Sequence, residues 1–274
     1  MSLYNSFWQM LIPGNSGPVY PTDCLTFEST AGETGSFSLS VSAANWNGNV
    51  WYSTDAMLWY PLSAGQPVSS QNGRLYLRGS GNSHLATSTS AVTTISLNSN
   101  TGVKCIGNIE TLLDYQTVLN GNHPGMDAYC FYKLFSGNTY LVSSPELPAT
   151  TLTAAGCYAY MFQNCTGLVT PPVLPATTLK QICYQNMFDG CTGLAAIPAI
   201  PYPCGVSGAQ AYGPYRNMFR NCTQLVFSAT QTSGTSYYYT GETINSSIFY
   251  GTNGGSFRNI TNGTAYYTAT PILS

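Results

Sequence analysis

Three hydrophobic periods follow one another along the chain. Over residues 2–12, Tyr4, Phe7, Trp8 and Leu11 fall at i, i+3, i+4 and i+7, the spacing of one helical face. Ser2 is placed to cap that helix and Pro13-Gly14 to end it. Helices shorter than about 12–15 residues are marginal alone, so this face must pack on its own domain or on another chain. A Gly/Pro/Ser linker occupies residues 15–20. From Leu25 to Ile106 the period becomes two. Phe37, Leu39 and Val41 alternate with serine, Leu75 and Leu77 with Tyr76 and Arg78, and Ile95 and Leu97 follow the same rule. Turn signals at Asn47-Gly48, Ala64-Gly65, Asn72-Gly73 and residues 79–82 punctuate the region. Six or seven short strands at such spacing predict a β-sandwich. Trp46, Trp51 and Trp59 are assigned to its core or its rim.

The third period is 26 residues long. Cys157-Tyr-Ala-Tyr-Met-Phe-Gln-Asn-Cys-Thr-Gly-Leu168 returns as Cys183-Tyr-Gln-Asn-Met-Phe-Asp-Gly-Cys-Thr-Gly-Leu194. An earlier, degraded copy starts at Cys130, and a later one is Met218-Phe-Arg-Asn-Cys-Thr-Gln-Leu225. The links repeat as well: Pro145-Glu-Leu-Pro-Ala-Thr-Thr-Leu152 matches Pro172-Val-Leu-Pro-Ala-Thr-Thr-Leu179. A period in the twenties predicts a solenoid, whose units bury their apolar faces only by stacking. Leu141, Leu168, Leu194 and Leu225 then form one buried row. Met161, Met187 and Met218 form a second, with Phe135, Phe162, Phe188 and Phe219 beside it. The Cys-Tyr-x-x-Met-Phe pieces read as one helical turn per unit, and the Pro-rich links as short extended segments. Residues 107–115 read as a short helix with Asn108 as N-cap, placed to cap the first unit. The fourth unit carries about five extra residues around residues 201–208, a surface bulge. Beyond residue 225 the repeat is lost, and residues 246–250 and 264–268 read as strands of a C-terminal cap.

Only 7 % of residues are charged and the net charge is −2, where soluble domains carry roughly a quarter. Ser, Thr, Asn, Gln, Gly and 21 tyrosines must therefore build the surface. Eight scattered basic residues leave no footprint for nucleic acid or an anionic membrane. No apolar run reaches the length of a membrane span. The first 20 residues hold no Lys or Arg, and Met10-Leu-Ile12 is too short for a leader's apolar region. A surface-type composition without an export signal points to a mature terminus, or to assembly inside a cell and release by lysis, as virion proteins are released.

Nine cysteines raise metal and disulfide chemistry. Their spacing within a unit is C-x7-C, unlike the C-x2–4-C of zinc sites. Asn138 takes the second cysteine position in the first unit, and Pro214 the first position in the last. Buried thiols filling rows account for this better than a ligand set, and Cys165, Cys191 and Cys222 belong to such a row. His84 and His123 lie in Gly/Asn/Ser-rich loops with no nucleophile motif beside them, and read as solvated polar residues. Ten carboxylates are dispersed, without the paired pattern that glycoside hydrolysis requires. Asn164-Cys-Thr166 and Asn221-Cys-Thr223 match a glycosylation sequon but lie inside the repeat and read as structure. No phosphate-cradling loop occurs. The expectation is a protein with no catalytic residues, metal or cofactor.

The Met-Phe-x-x-Cys-Thr-x-Leu and Leu-Pro-Ala-Thr-Thr-Leu blocks resemble the BspA-like leucine-rich repeats of gut Bacteroides-type surface proteins and of their crAss-like phages. Leu25-Thr-Phe27, Tyr52-Ser-Thr-Asp55, Leu75-Tyr-Leu-Arg-Gly79 and Gly107-Asn-Ile109 resemble the β-domain that precedes such repeats. The resemblance spans roughly residues 22–270 and supports a mainly β chain: a β-sandwich over 22–106, a leucine-rich-repeat-type solenoid over 107–225 and a C-terminal cap over 226–274, preceded by the segment 1–21, which its helical face and linker mark as an attachment arm. It implies adhesion without catalysis and a place on a virion as a head or tail fibre. Capsid or tail proteins, a host surface glycan or protein, and further copies of the chain are the implied partners, with a trimer favoured by analogy to phage fibres. The alternatives are an exported bacterial surface adhesin and a carbohydrate-binding or carbohydrate-active protein.

Overall fold

The computed structural model describes residues 24–195, 198 and 214–224, and the backbone of four short strands beyond them. The chain is mainly β, with several sheets, none closed. Its strands are β1 (Leu25–Ser29), β2 (Phe37–Val41), β3 (Asn49–Ser53), β4 (Tyr60–Pro61), β5 (Val68–Ser69), β6 (Arg74–Ser80), β7 (Ile95–Ser99) and β8 (Val103–Ile106). The helix α1 (Thr111–Leu119) follows, then β9 (Leu141–Ser143), β10 (Thr151–Leu152), β11 (Thr178–Leu179) and β12 (Gly205–Val206). Last come β13 (Tyr237–Tyr239), β14 (Ile260–Thr261) and β15 (Thr264–Tyr267). Tyr4, Phe7, Trp8 and Leu11, the segment 246–250 and Leu225 lie outside the described residues.

The larger sheet runs β4-β3-β6-β1-β8-β9, antiparallel except where β8 meets β9 in parallel. The smaller runs β5-β2-β7. Period two sets the inner faces: Phe37, Leu39 and Val41 are buried while Ser38 and Ser40 between them are half-buried. Leu39 and Ile95 from one sheet share a hydrophobic cluster with Leu25, Phe27 and Leu75 from the other. Trp46, Trp51 and Trp59 are only half-buried, so the tryptophans line the rim. Gly79 on β6 lies against the Leu112 carbonyl, where a Cβ would sit 1.8 Å from the oxygen. Asn82 locks that contact, donating from Nδ2 to the Leu112 and Asn49 carbonyls at 3.0 and 2.7 Å.

The helix departs from the sequence reading. It spans Thr111–Leu119, its N-cap is Glu110, and no side chain caps it. Asn108 instead accepts the Glu110 N–H at 2.8 Å in a turn before the helix. The helix covers β6 rather than the first repeat unit. That unit is covered by residues 82–95. Leu85 and Ile95 donate backbone N–H groups to the Cys130 and Leu134 carbonyls at 2.7 Å each.

The repeat pieces do not form helical turns. Within the second unit, Ala159, Met161, Gln163 and Cys165 donate N–H groups back three residues. The alternate residues Tyr158, Tyr160, Phe162 and Asn164 donate to Cys183, Gln185, Met187 and Asp189 of the next unit, at 2.7–3.0 Å. Tyr160 and Asn164 have φ of 58° and 59°, at the third turn position where a type II turn requires positive φ. A left-handed residue at every fourth position excludes an α-helix, which needs right-handed φ throughout. Half the N–H groups are thereby turned outward to bind the neighbouring unit.

Candidate binding surface on the repeat units

Inward positions of the units form continuous rows. Phe135, Phe162, Phe188 and Phe219 stack at 5.4–5.6 Å with rings within 6° of parallel. Phe131, Tyr158, Tyr184 and Tyr215 form a second row at 5.6–5.9 Å. Phe27 of β1 meets Phe135 at 6.3 Å, so the first row begins inside the larger sheet. Leu141, Met161, Cys165, Leu168, Met187, Cys191, Leu194, Met218 and Cys222 are all fully buried. Cys-Thr-Gly-Leu recurs for a packing reason. Gly167 and Gly193 face the Thr139 and Thr166 carbonyls of the unit before, where a Cβ would come within 2.4 and 2.5 Å.

The second-position cysteines are donors. Cys165, Cys191 and Cys222 direct Sγ–H to the carbonyls of Phe135, Phe162 and Phe188 at 3.0, 2.9 and 2.9 Å. Asn138, which the sequence presents as a lost cysteine, does the same with Nδ2 toward the Ile95 carbonyl at 3.5 Å. Its longer reach suits a neighbour that is a β-strand rather than a repeat unit. Burial pushes the Cys165 and Cys222 thiols up to about 12 and the Cys191 thiol well above its ordinary range. The eight described cysteines are buried and free. Native protein should therefore react with a thiol reagent at about one equivalent or less, and denatured protein at all nine positions. Rapid modification of several thiols in the native state would contradict the packing.

The titratable clusters are structural in geometry. Neither histidine is a free loop residue. His84 Nδ1 lies 3.1 Å from Asp127 Oδ2, and the Ser83 hydroxyl donates to the same oxygen at 2.5 Å. The serine and then the histidine hold Asp127 below its ordinary range. In a nucleophilic triad the imidazole stands between carboxylate and hydroxyl and uses both ring nitrogens. Here hydroxyl and Nδ1 meet one carboxylate oxygen, and the group ties residues 83–84 to the start of the first unit. Asp189 accepts from Asn186, Asn221 and Gln163 at 3.0, 3.2 and 3.3 Å, joining three units. Among the described residues no three His, Cys, Asp or Glu side chains are placed to hold a metal.

Glu110 is fully buried. His123 Nδ1 lies 2.7 Å from its Oε2, while its Oε1 has no partner. Burial raises its carboxyl above the ordinary value and His123 partly opposes this. A carboxyl raised in the fold destabilises it once ionised, and that cost disappears as pH falls through the folded value and below the unfolded one. Glu110→Gln should therefore raise Tm at pH 7 and lose its advantage below about pH 4, as read by thermal melts across pH. An equal shift at both pH values would contradict the assignment.

Tyr129, Tyr132, Lys133 and Tyr160 gather on the side of the units away from the rows. Tyr129 meets Tyr132 edge-on at 5.5 Å, and Tyr132 meets Tyr160 at 5.3 Å. Lys133 Nζ stands 5.6 and 5.5 Å from the Tyr132 and Tyr160 ring centroids. Gln185 donates to the Tyr160 hydroxyl at 3.1 Å. The sequence reading missed this group. Elsewhere a shallow groove of about 370 Å³ runs between the Pro-rich links, lined by residues 143–148 and by Thr170, Pro171, Pro172, Val173 and Pro175.

No family model, curated protein or solved structure compared with the chain matches it.

Proposed function

We propose that the chain is a non-enzymatic surface protein. In this reading a β-sandwich leads into a short leucine-rich-repeat-type solenoid that is carried on a phage particle, as a head or tail fibre or decoration, and used for adhesion. The supporting observation is the contrast between the two sides of the repeat. Inward positions keep Phe, Met, Cys and Leu from unit to unit, apart from Leu134 and Asn138 at the Met and Cys positions of the first. The intervening positions differ in all four units: Tyr132, Ala159, Gln185 and Arg216 in one series, Ser136, Gln163, Asp189 and Arg220 in the other; Tyr132, Ala159 and Asp189 are buried, and the other five reach solvent. A constant interior under a varied exterior suits recognition by a scaffold that is itself invariant.

Residues 82–95 serve in this reading as the N-terminal cap that terminal repeats need. Residues 2–12 attach the protein to its particle. Burying Tyr4, Phe7, Trp8 and Leu11 yields on the order of 6–10 kcal/mol at roughly 1.5–3 each, before ordering costs of several kcal/mol. One arm holds weakly, so several copies act together, a trimer being favoured. Mass spectrometry of purified particles and of cell envelopes tests the placement. Recovery from envelopes alone would transfer the reading to a bacterial surface adhesin. Deleting residues 2–12 should leave a folded protein that no longer joins the particle. Native mass spectrometry reads the copy number.

A further inference from the structure

Left-handed backbone recurs at every fourth residue of the turn segments, and most of these positions hold the residues that tolerate it. Gly137, Gly156, Asn164, Asn186, Gly190, Asn217 and Asn221 all have positive φ, as Gly and Asn do at little cost. Four positions break the rule: Tyr129, Lys133, Tyr160 and Ile182, with φ of 62°, 57°, 58° and 55°. Bulky and β-branched side chains there are outliers. These four are not scattered. The Tyr129 ring lies over Gly156, where a Cβ would come within 2.8 Å of it, and Ile182 reaches the same glycine from the next unit. Lys133 stands over Tyr132 and Tyr160. Every unfavourable residue of the turn ladder thus converges on one patch. Strain kept at one place and avoided elsewhere is the mark of a site.

We infer that this patch binds a carboxylated saccharide. Tyr129 and Tyr160 are half-buried, leaving part of each ring to solvent, and a tyrosine face receives the C–H face of a sugar ring. The Lys133 ammonium lies on two rings and forms no ion pair with a described carboxylate, so it is placed to meet one on a ligand. The Gln185 amide and the tyrosine hydroxyls supply hydrogen bonds for sugar hydroxyls. A quaternary ammonium ligand is excluded because Lys133 already occupies the cation position over the rings. An apolar peptide side chain would need an enclosed cavity, and the edge-on and tilted rings, 5.5 and 5.3 Å apart, leave none between them. A nucleic acid would need a basic tract, and the first two units hold only two basic residues, Lys133 and Lys180.

The inference deepens the adhesive reading, but polysaccharide binding is measured independently of where the protein resides, so each can fail alone. The test is affinity electrophoresis of the full chain in gels containing polygalacturonate or hyaluronate, with dextran and mannan as neutral controls. Retardation by a carboxylated polymer, and less by the neutral ones, is expected. Lys133→Asn and Tyr160→Asn place at each position a residue suited to its backbone. Each should weaken binding at least about tenfold and leave Tm unchanged or higher. A structural role predicts the reverse, a lower Tm, because cation–π and ring contacts are lost without relief. No retardation of the wild type, equal retardation by dextran and mannan, unchanged binding in both variants, or a fall in Tm of several degrees in both would each overturn the inference. Retardation by single-stranded oligonucleotides but not by polysaccharides would overturn it in favour of nucleic acid.

Discussion

Phe162→Ala should lower the unfolding free energy by about 3–5 kcal/mol. The side chain is fully buried and stacked on both sides, 5.5 Å from Phe135 and 5.6 Å from Phe188. Removing it leaves a void that two flanking rings cannot close, because their own backbones are held by hydrogen bonds, Phe135 donating to Met161 and Phe188 to Met218. The Phe162 carbonyl also accepts the Cys165 N–H and the Cys191 thiol, so local collapse would disturb the adjoining row. Units couple only to neighbours. A weakened second unit should therefore also reduce the cooperativity between the sheets and the later units. Urea unfolding followed by circular dichroism measures both, the second as a smaller slope or a split transition. Leu168→Ala and Leu194→Ala, at equivalent buried positions, should each cost about 2–5 kcal/mol. A loss under about 1 kcal/mol in all three would contradict the rows.

Gly79→Ala should destabilise by about 3 kcal/mol, the upper end for overpacking. The added Cβ would fall 1.8 Å from the Leu112 oxygen and 2.4 Å from its carbon. The obstacle is backbone, so no rotamer change relieves it. The helix must retreat from β6 and lose the bonds that Asn82 donates to the Leu112 and Leu113 carbonyls. Gly125→Ala is the control, since nothing lies within 4 Å of its added Cβ, and it should shift stability by less than about 0.5 kcal/mol. Similar melting temperatures for the two variants would refute the close approach.

The sequence carried the interior better than the backbone path. Repetition of Met161 and Phe162 as Met187 and Phe188 marks positions that meet their own kind, because a stacked unit presents the same face to its neighbour. Turn geometry left a fainter trace. Asn164, Asn186 and Gly190 point to left-handed backbone, but Tyr160 and Lys133 hide the rest of the four-residue rhythm, and the segment reads as a helical turn. The covering of the first unit was illegible for another reason. Leu85 and Ile95 reach Cys130 and Leu134 across about 40 residues of chain, and local periodicity holds no record of such pairing. Asn138 looked like drift for the same reason: its donor role is visible only once Ile95 is known to face it.

The direction of hydrogen bonding between units bears on how such a chain can change length. Each unit gives its N–H groups to the unit after it and takes them from the unit before, so every seam is chemically alike. A tandem duplication of residues 157–182 would meet seams it already fits on both sides. Gene-level copying would then add fresh, independently mutable outer positions with each step and require no compensating change in the interior. The step from the third unit to the fourth already tolerates a longer return path: Phe188 bonds Met218, 30 residues on, where Phe162 bonds Met187, 25 residues on. Variation in length and variation in surface chemistry are thus separable in this architecture.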